Sequence, residues 1–192
     1  MQERWTTGIV LAAGAGTRLG PEAIAGTLSD GGCREVVVVL GAGAADVVAA
    51  ADLGRFRTAV NPNWQSGMGS SFLLGERTAD PADHLLVALV DQPGLTPETV
   101  ARLLAAHRPG RITAAAYRRR DLNGGSPVSQ LLRGHPPLID ASLRAAVAAT
   151  VTGDAGARGF LRAHPELVDE VDCTDQSTGE DVDTPDQLRL LQ

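Results

Sequence analysis

Backbone amides, one arginine and two carboxylates are spaced along this chain in a way that suits a phosphate ester and a hard cation. The run Gly8-Ile9-Val10-Leu11-Ala12-Ala13-Gly14-Ala15-Gly16-Thr17-Arg18-Leu19-Gly20 carries apolar residues straight into a glycine-rich turn. A buried strand that stops at such a turn exposes backbone N–H groups, with no side chains to keep an anion away. A helix following the turn adds partial positive charge at the same spot. Arg18 supplies a planar fork that matches phosphate oxygens. These features predict a phosphate cradle at the carboxyl end of the first strand. A P-loop is excluded because it needs a lysine and the chain has none. Gly14, Gly16 and Gly20 miss the dinucleotide spacing G-x-G-x-x-G by one position. A tight turn without a ligand is the bland alternative, and the partners found downstream count against it.

Two acids lie further along. Asp91-Gln92-Pro93 places a carboxylate where an aliphatic run ends, an expensive position unless a cation or hydrogen bonds meet it. Mg²⁺ held by one or two carboxylates and phosphate oxygens would do so; a helix cap or turn is the plain alternative. In Asp181-Val182-Asp183-Thr184-Pro185-Asp186, Thr184 and Pro185 read as the start of a helix, which leaves Asp183 able to turn toward the same ion. A carboxylate–Mg²⁺ site beside a phosphate cradle points to phosphoryl or nucleotidyl transfer.

The elements that must position these groups alternate. Gly8–Ala12, Val36–Leu40 and Leu85–Val90 are continuous aliphatic runs, the pattern of strands buried on both faces. Arg57–Val60 and Ile112–Tyr117 are shorter extended segments, and helices are expected at Ala44–Ala51, Ser70–Thr78, Pro97–His107, Ser142–Ala149, Ala157–Ala163 and Pro185–Leu191. Thr96-Pro97-Glu98 carries an N-cap, a first-turn proline and an early acid. The expectation is α/β: a single Rossmann-like three-layer domain over 1–192, with a mostly parallel sheet and helices on both faces. Ligands of such sheets bind outside the carboxyl ends of the strands. The turn at Gly14, Asn61 and Asp91 should therefore face one crevice.

Composition narrows the partners. With 43% hydrophobic but only 3% aromatic residues, the core must be built from Ala, Val and Leu. The net charge is −6, and no basic stripe interleaved with aromatics suggests a nucleic acid. An anionic nucleotide would have to be met by locally focused positive potential. No apolar run suits a bilayer and no signal-peptide pattern opens the chain, so a cytoplasmic, non-membrane protein is expected. Cys33 and Cys173 lack metal-ligand spacing and read as free thiols.

Six segments in order now carry a resemblance: Gly8–Gly20, Asn61-Pro62-Asn63-Trp64-Gln65-Ser66-Gly67-Met68-Gly69-Ser70-Ser71, Asp91-Gln92-Pro93, Gly134-His135-Pro136, Gly153-Asp154-Ala155-Gly156-Ala157-Arg158 and Asp183-Thr184-Pro185. Together they resemble the MobA/MocA-type nucleotidyltransferases, which attach a nucleoside monophosphate to molybdopterin. The resemblance implies Mg²⁺-dependent attack of a terminal phosphate on the α-phosphate of a nucleoside triphosphate, with loss of pyrophosphate. It assigns Leu11, Ala12, Ala13 and Gly14 to the base, Gly16, Thr17 and Arg18 to the triphosphate, and Ala15 to the nucleotide between them. Asn61, Gly67, Met68, Ser70 and Ser71 would line the nucleotide side, with Ser70 and Ser71 also starting a helix. Asp91 and Asp183 would hold the metal, Arg18 and Asp91 would be catalytic, and His135 and Asp154 would meet the acceptor. Ala13 stands where guanylyl members resemble glycine. Its methyl narrows the space against a purine, a difference worth about 1–3 kcal/mol, so CTP is the expected substrate. Molybdopterin or molybdenum cofactor is the expected acceptor, with a molybdoenzyme or its maturation factor as a further partner. Gly124-Gly125-Ser126-Pro127 competes with Gly134-His135-Pro136 for the acceptor end, and Arg118, Arg119 and Arg120 read as a solvated charge run.

The pattern breaks after the cradle. The family continues with a Pro-Lys pair, but this chain reads Gly20-Pro21-Glu22-Ala23 and enters a helix-like stretch, Ile24–Leu28, at once. Loss of one charged donor at such a site costs on the order of 10²–10³ in rate, and Glu22 adds repulsion. Either the loop is deleted, leaving a damaged or non-catalytic nucleotide binder, or the sequence as written skips a mobile segment; an intact mass of 19.9 kDa would exclude the second. Two rivals remain at this level. One is a sugar- or alcohol-phosphate nucleotidyltransferase, and the other is a non-catalytic module that delivers a cofactor.

Overall fold

The computed structural model describes residues 5–14, 20–92, 94–118 and 131–176. Seven strands form one sheet: β1 (Thr6–Ala12), β2 (Glu35–Leu40), β3 (Arg57–Val60), β4 (His84–Leu89), β5 (Ile112–Arg118), β6 (Leu131–Ile139) and β7 (Val168–Asp172). The helices are α1 (Pro21–Asp30), α2 (Ala44–Ala50), α3 (Met68–Thr78), α4 (Pro97–Ala106), α5 (Arg144–Thr150) and α6 (Arg158–Ala163). Strand order is β3-β2-β1-β4-β6-β5-β7. Only the two pairings made by β6 are antiparallel. This is the Rossmann-like α/β architecture expected from the alternating pattern.

The aliphatic runs explain the layers. Successive residues of a strand point to opposite faces, so both faces of β1, β2 and β4 are greasy. Val10, Val36, Val38 and Leu86 join Ile24 and Leu28 of α1 and Val100 and Leu103 of α4 on one side. Ile9, Val37, Val39, Val87 and Leu89 join Phe72 of α3, Val147 of α5 and Phe160 and Leu161 of α6 on the other. The Thr96 cap forms as read, accepting the Thr99 N–H at 3.2 Å. Cys33 and Cys173 are free and buried, and burial pushes the Cys33 thiol up to about 12.

Several elements differ from expectation. Pro21 begins α1 directly after Gly20, three residues ahead of the expected helical stretch. The expected Ser142 helix is a 3₁₀ turn, Ala141–Leu143, followed by α5. β6 and β7 were not legible at all. β6 carries Pro136 and Pro137, which cannot donate to a ladder. β7, with the sequence Val-Asp-Glu-Val-Asp, lies at the sheet edge with its acids paired to Arg111, Arg133 and Arg118. The helix expected at Pro185–Leu191, the Gly124–Pro127 segment, Arg119 and Arg120 lie outside the described residues. Among the described residues no helix is long and apolar enough to cross a membrane.

Candidate active site

Parallel pairing brings the carboxyl ends of β1, β2, β3 and β4 to one edge. Leu11 lies opposite Leu89, and the Val90 N–H donates to the Leu11 carbonyl at 3.3 Å. Asp91, exposed, therefore leaves the sheet next to the turn at Gly14. Ala12 and Ala13 are buried and Gly14 is exposed. Ala15, Gly16, Thr17 and Arg18, which complete the expected cradle, lie outside the described residues, as does Asp183.

Immediately beyond the cradle, Glu22 stands in the first turn of α1, with its carboxylate folded back over Gly20 and Oε2 buried without a hydrogen-bond partner. An acid is favoured at a helix N-terminus. It also occupies, with a negative charge, the stretch where the resembling family places a cation.

The Asn61–Ser71 segment folds into a bracket. Asn61 is buried, and its Nδ2 donates to Ser70 Oγ at 2.8 Å and Ser71 Oγ at 2.9 Å. Its Oδ1 accepts the Asn63 N–H at 2.9 Å. Ser71 is buried, and Ser70 Oγ turns back to the Gly67 carbonyl at 2.9 Å. The polar atoms of these three residues thus face one another, and together they position the start of α3. There the Met68 N–H donates to Asp154 Oδ1 at 3.1 Å, and the Gly69 N–H to the Gly153 carbonyl at 2.8 Å. Gly67 has φ of +106°, and a Cβ on it would lie 2.6 Å from Gly153 backbone. Two motifs that are 86 residues apart in sequence are joined at this point.

Beside that junction is a cavity of about 520 Å³. Its floor is Leu11, Val87 and Leu89; Met68 and Phe72 of α3 form one wall, and Leu161 and Pro165 form another. Gly134, His135 and Pro137 of β6 close it, and Asp154, Arg158, Arg162 and Arg133 supply the polar groups. The cavity exists because β6 departs from regular pairing. Register with β5 passes from Ala114↔Pro137 to Ala116↔Arg133, so three residues of β6 bulge opposite one of β5. Tyr117 holds the bulge, its hydroxyl donating to the His135 carbonyl at 3.0 Å. Burial pushes that phenol up to about 12, so it stays a donor. A Cβ on Gly134 would meet the Tyr117 ring at 2.9 Å. Arg133 is fixed to Glu170 and to the Leu161 carbonyl, both at 3.0 Å.

Of the residues singled out by sequence, Leu11, Met68, His135 and Asp154 meet at this cavity. Asp91 stands at the neighbouring strand exit. Phe72, Leu89, Arg133 and Arg162 were missed. The Gly153–Arg158 motif ran close to Arg162, but no sequence signal marked Arg133 in a segment not read as a strand.

Residues 21–168 match the MobA-like NTP transferase domain. The match begins at Pro21, after the glycine turn. The chain is 57% identical over 200 residues to the nicotine blue oxidoreductase of Paenarthrobacter nicotinovorans, covering 96% of each protein. Rv0371c of Mycobacterium tuberculosis H37Rv, solved in complex with manganese, superposes with a TM-score of 0.75 at 23% identity, covering 99% of this chain and 98% of that one. A 4-diphosphocytidyl-2C-methyl-D-erythritol synthase from Anaerococcus prevotii shares the fold, with a TM-score of 0.72 at 16% identity over 97% and 94% of the two chains. The matched stretch spans most of the seven-stranded sheet and both walls of the cavity, and on that extent the chain belongs to the MobA-like NTP transferase family.

Proposed function

We propose that this chain is a nucleotide-using oxidoreductase: the carboxyl edge binds a reduced nicotinamide nucleotide, and the adjoining cavity holds a conjugated pigment of the nicotine blue type. The observation that carries this reading is the 57% identity, over nearly the full length of both chains, to a protein named nicotine blue oxidoreductase. The apolar floor and walls of the cavity suit a flat conjugated ring. The absence of lysine and the presence of Glu22 beside the cradle weaken triphosphate chemistry in the same place. A bound dihydronicotinamide would supply a hydride, and one proton from water would complete the two-electron reduction of the pigment. The chain's own part is to hold the two rings in contact and exclude bulk water.

Family membership and the position of Asp91 favour a second reading, transfer of CMP from CTP to molybdopterin or the molybdenum cofactor. In that case Asp91 and Asp183 would hold Mg²⁺, and Ala13 would exclude a purine. Gly16, Thr17 and Arg18 would hold the triphosphate, while His135 and Asp154 would contact the acceptor. A sugar- or alcohol-phosphate acceptor belongs to the same reading.

One set of assays separates them. The purified chain is given NADH or NADPH with nicotine blue, and in parallel each of the four nucleoside triphosphates with Mg²⁺, with and without molybdopterin. Pigment bleaching matched one-to-one by nicotinamide oxidation, without pyrophosphate, is the expected result. CTP-selective pyrophosphate release that requires molybdopterin would overturn it in favour of the second reading. Binding of nucleotide with neither turnover would leave a delivery module.

A further inference from the structure

At the opposite edge of the sheet from the crevice, three potential ligands converge. His84 opens β4, His107 ends α4, and Asp140 follows β6. Antiparallel pairing of Leu85 with Ile139 brings the first and last of these side by side, and the β5–β6 pairing of Ile112 with Ile139 brings His107 to them. One ligand atom from each lies within 4.8 Å of the other two. Asp140 Oδ2 is 3.3 Å from His84 Nδ1 and 3.4 Å from His107 Nε2. The two imidazole rings stand edge to face at 4.6 Å.

The surroundings fix two of these three groups. Asp140 Oδ1 accepts the Ser142 N–H at 2.9 Å and its hydroxyl at 2.6 Å. His107 Nδ1 is held by Thr113 Oγ1 at 2.9 Å. A ligating histidine is commonly fixed through its other ring nitrogen in this way. The His107 side chain is only 8% exposed, and its buried Nε2 has just the long 3.4 Å contact to Asp140 Oδ2. A buried nitrogen left so is costly. At 3.4 Å it sits too far from Oδ2 for a good hydrogen bond. That separation does match two ligands on one tetrahedral cation, which stand about 3.4 Å apart when each bond is about 2.1 Å.

We infer that His84, His107 and Asp140 form a binding site for a divalent transition-metal ion of the Zn²⁺ class, with water as the fourth ligand. Two imidazoles and one carboxylate suit zinc, cobalt or nickel rather than magnesium. The site is therefore independent of any magnesium at Asp91 and of the reaction in the crevice. His84 Nδ1 accepts the Ala141 N–H at 3.0 Å, and this bond is exchanged for the metal bond on loading. The bound ion ties the start of β4, the end of α4 and the end of β6 into one staple.

The test uses metal ions alone, without nucleotide, on chelator-stripped full-length chain. Co²⁺ should bind at one equivalent, give the visible absorption of a four-coordinate nitrogen–oxygen site and be displaced by Zn²⁺. Zn²⁺ should raise the melting midpoint. His107→Gln and His84→Gln should each weaken Co²⁺ binding by at least ~100-fold, more than loss of a hydrogen bond supporting a ligand costs, while Asp91→Ala keeps it. Should either variant fail to fold, imidazole NMR of the unaltered chain decides, because Zn²⁺ must shift two of its four histidines. Failure of Zn²⁺ and Co²⁺ to bind stoichiometrically, or binding that survives both histidine substitutions, overturns the site.

Discussion

Asn61 shows how much a single side chain's role depends on its partners. Its residue type and position after a strand marked it for a ligand, but its amide is spent on Ser70, Ser71 and the Asn63 N–H. Asn61→Ala leaves the buried Ser71 hydroxyl without that donor and frees the start of α3. The expected loss is about 1–3 kcal/mol of folding stability, measured by urea unfolding. Asn61→Asp should restore it only in part, because a carboxylate cannot donate to Ser70 Oγ, whose own hydroxyl is engaged with the Gly67 carbonyl. Residue-level reading reached Leu11, Met68, His135 and Asp154 because each sits in a motif with glycine or a strand end beside it. It did not reach Phe72, which looks like any core residue of an amphipathic helix and is one, being only 1% exposed.

At the scale of elements, the decisive contact is the join between α3 and the Gly153–Arg158 loop. A Cβ at Gly69 would lie 2.7 Å from the Gly153 carbonyl oxygen and 2.8 Å from a Val151 methyl. Backbone cannot yield there as a flexible side chain would, so Gly69→Ala should destabilise by about 1–3 kcal/mol and weaken binding of whichever ligand fills the cavity. Gly159, inside α6, meets nothing within 4 Å. Gly159→Ala should instead be neutral or stabilise by about 0.5–1 kcal/mol. Thermal unfolding of both, with pigment or nucleotide binding measured alongside, checks the pair. The strands β1, β2 and β4 were legible because continuous aliphatic runs leave little else for them to be. β6 was not, because its bulge and prolines break the period that identifies a strand.

Across the whole molecule, the sheet's β7 edge is held by charge rather than grease. Asp169 accepts from Arg111 at 2.6 and 3.1 Å and from Arg108 at 3.1 Å. The Arg111 hydrogen bonds, with Arg108 assisting, hold its carboxyl at about 2, below the ordinary 3.8. A carboxyl depressed by folding stabilises fully above its ordinary value, and that contribution fades as pH falls through the folded one. Asp169→Asn should therefore lower the melting midpoint at neutral pH. The gap between variant and wild type should close as pH drops from about 4 toward 2. A gap that stays constant over that window would show that packing, not charge, is the aspartate's contribution. Arg108 is largely exposed and screened, so Arg111→Gln should reproduce most of the effect.

The sequence by itself determined the alternation of buried strands and amphipathic helices, and the acid at the end of β4. Those arise from local rules, since hydrophobic period and helix capping act between near neighbours. Only the tertiary structure decided that Asp154 latches the start of α3, that β6 runs antiparallel and bulges open a cavity, and that two histidines and an aspartate meet at the far edge. Each of these depends on the register of strands and turns distant in the chain, and register is chosen by the packing of the whole sheet rather than by any segment within it.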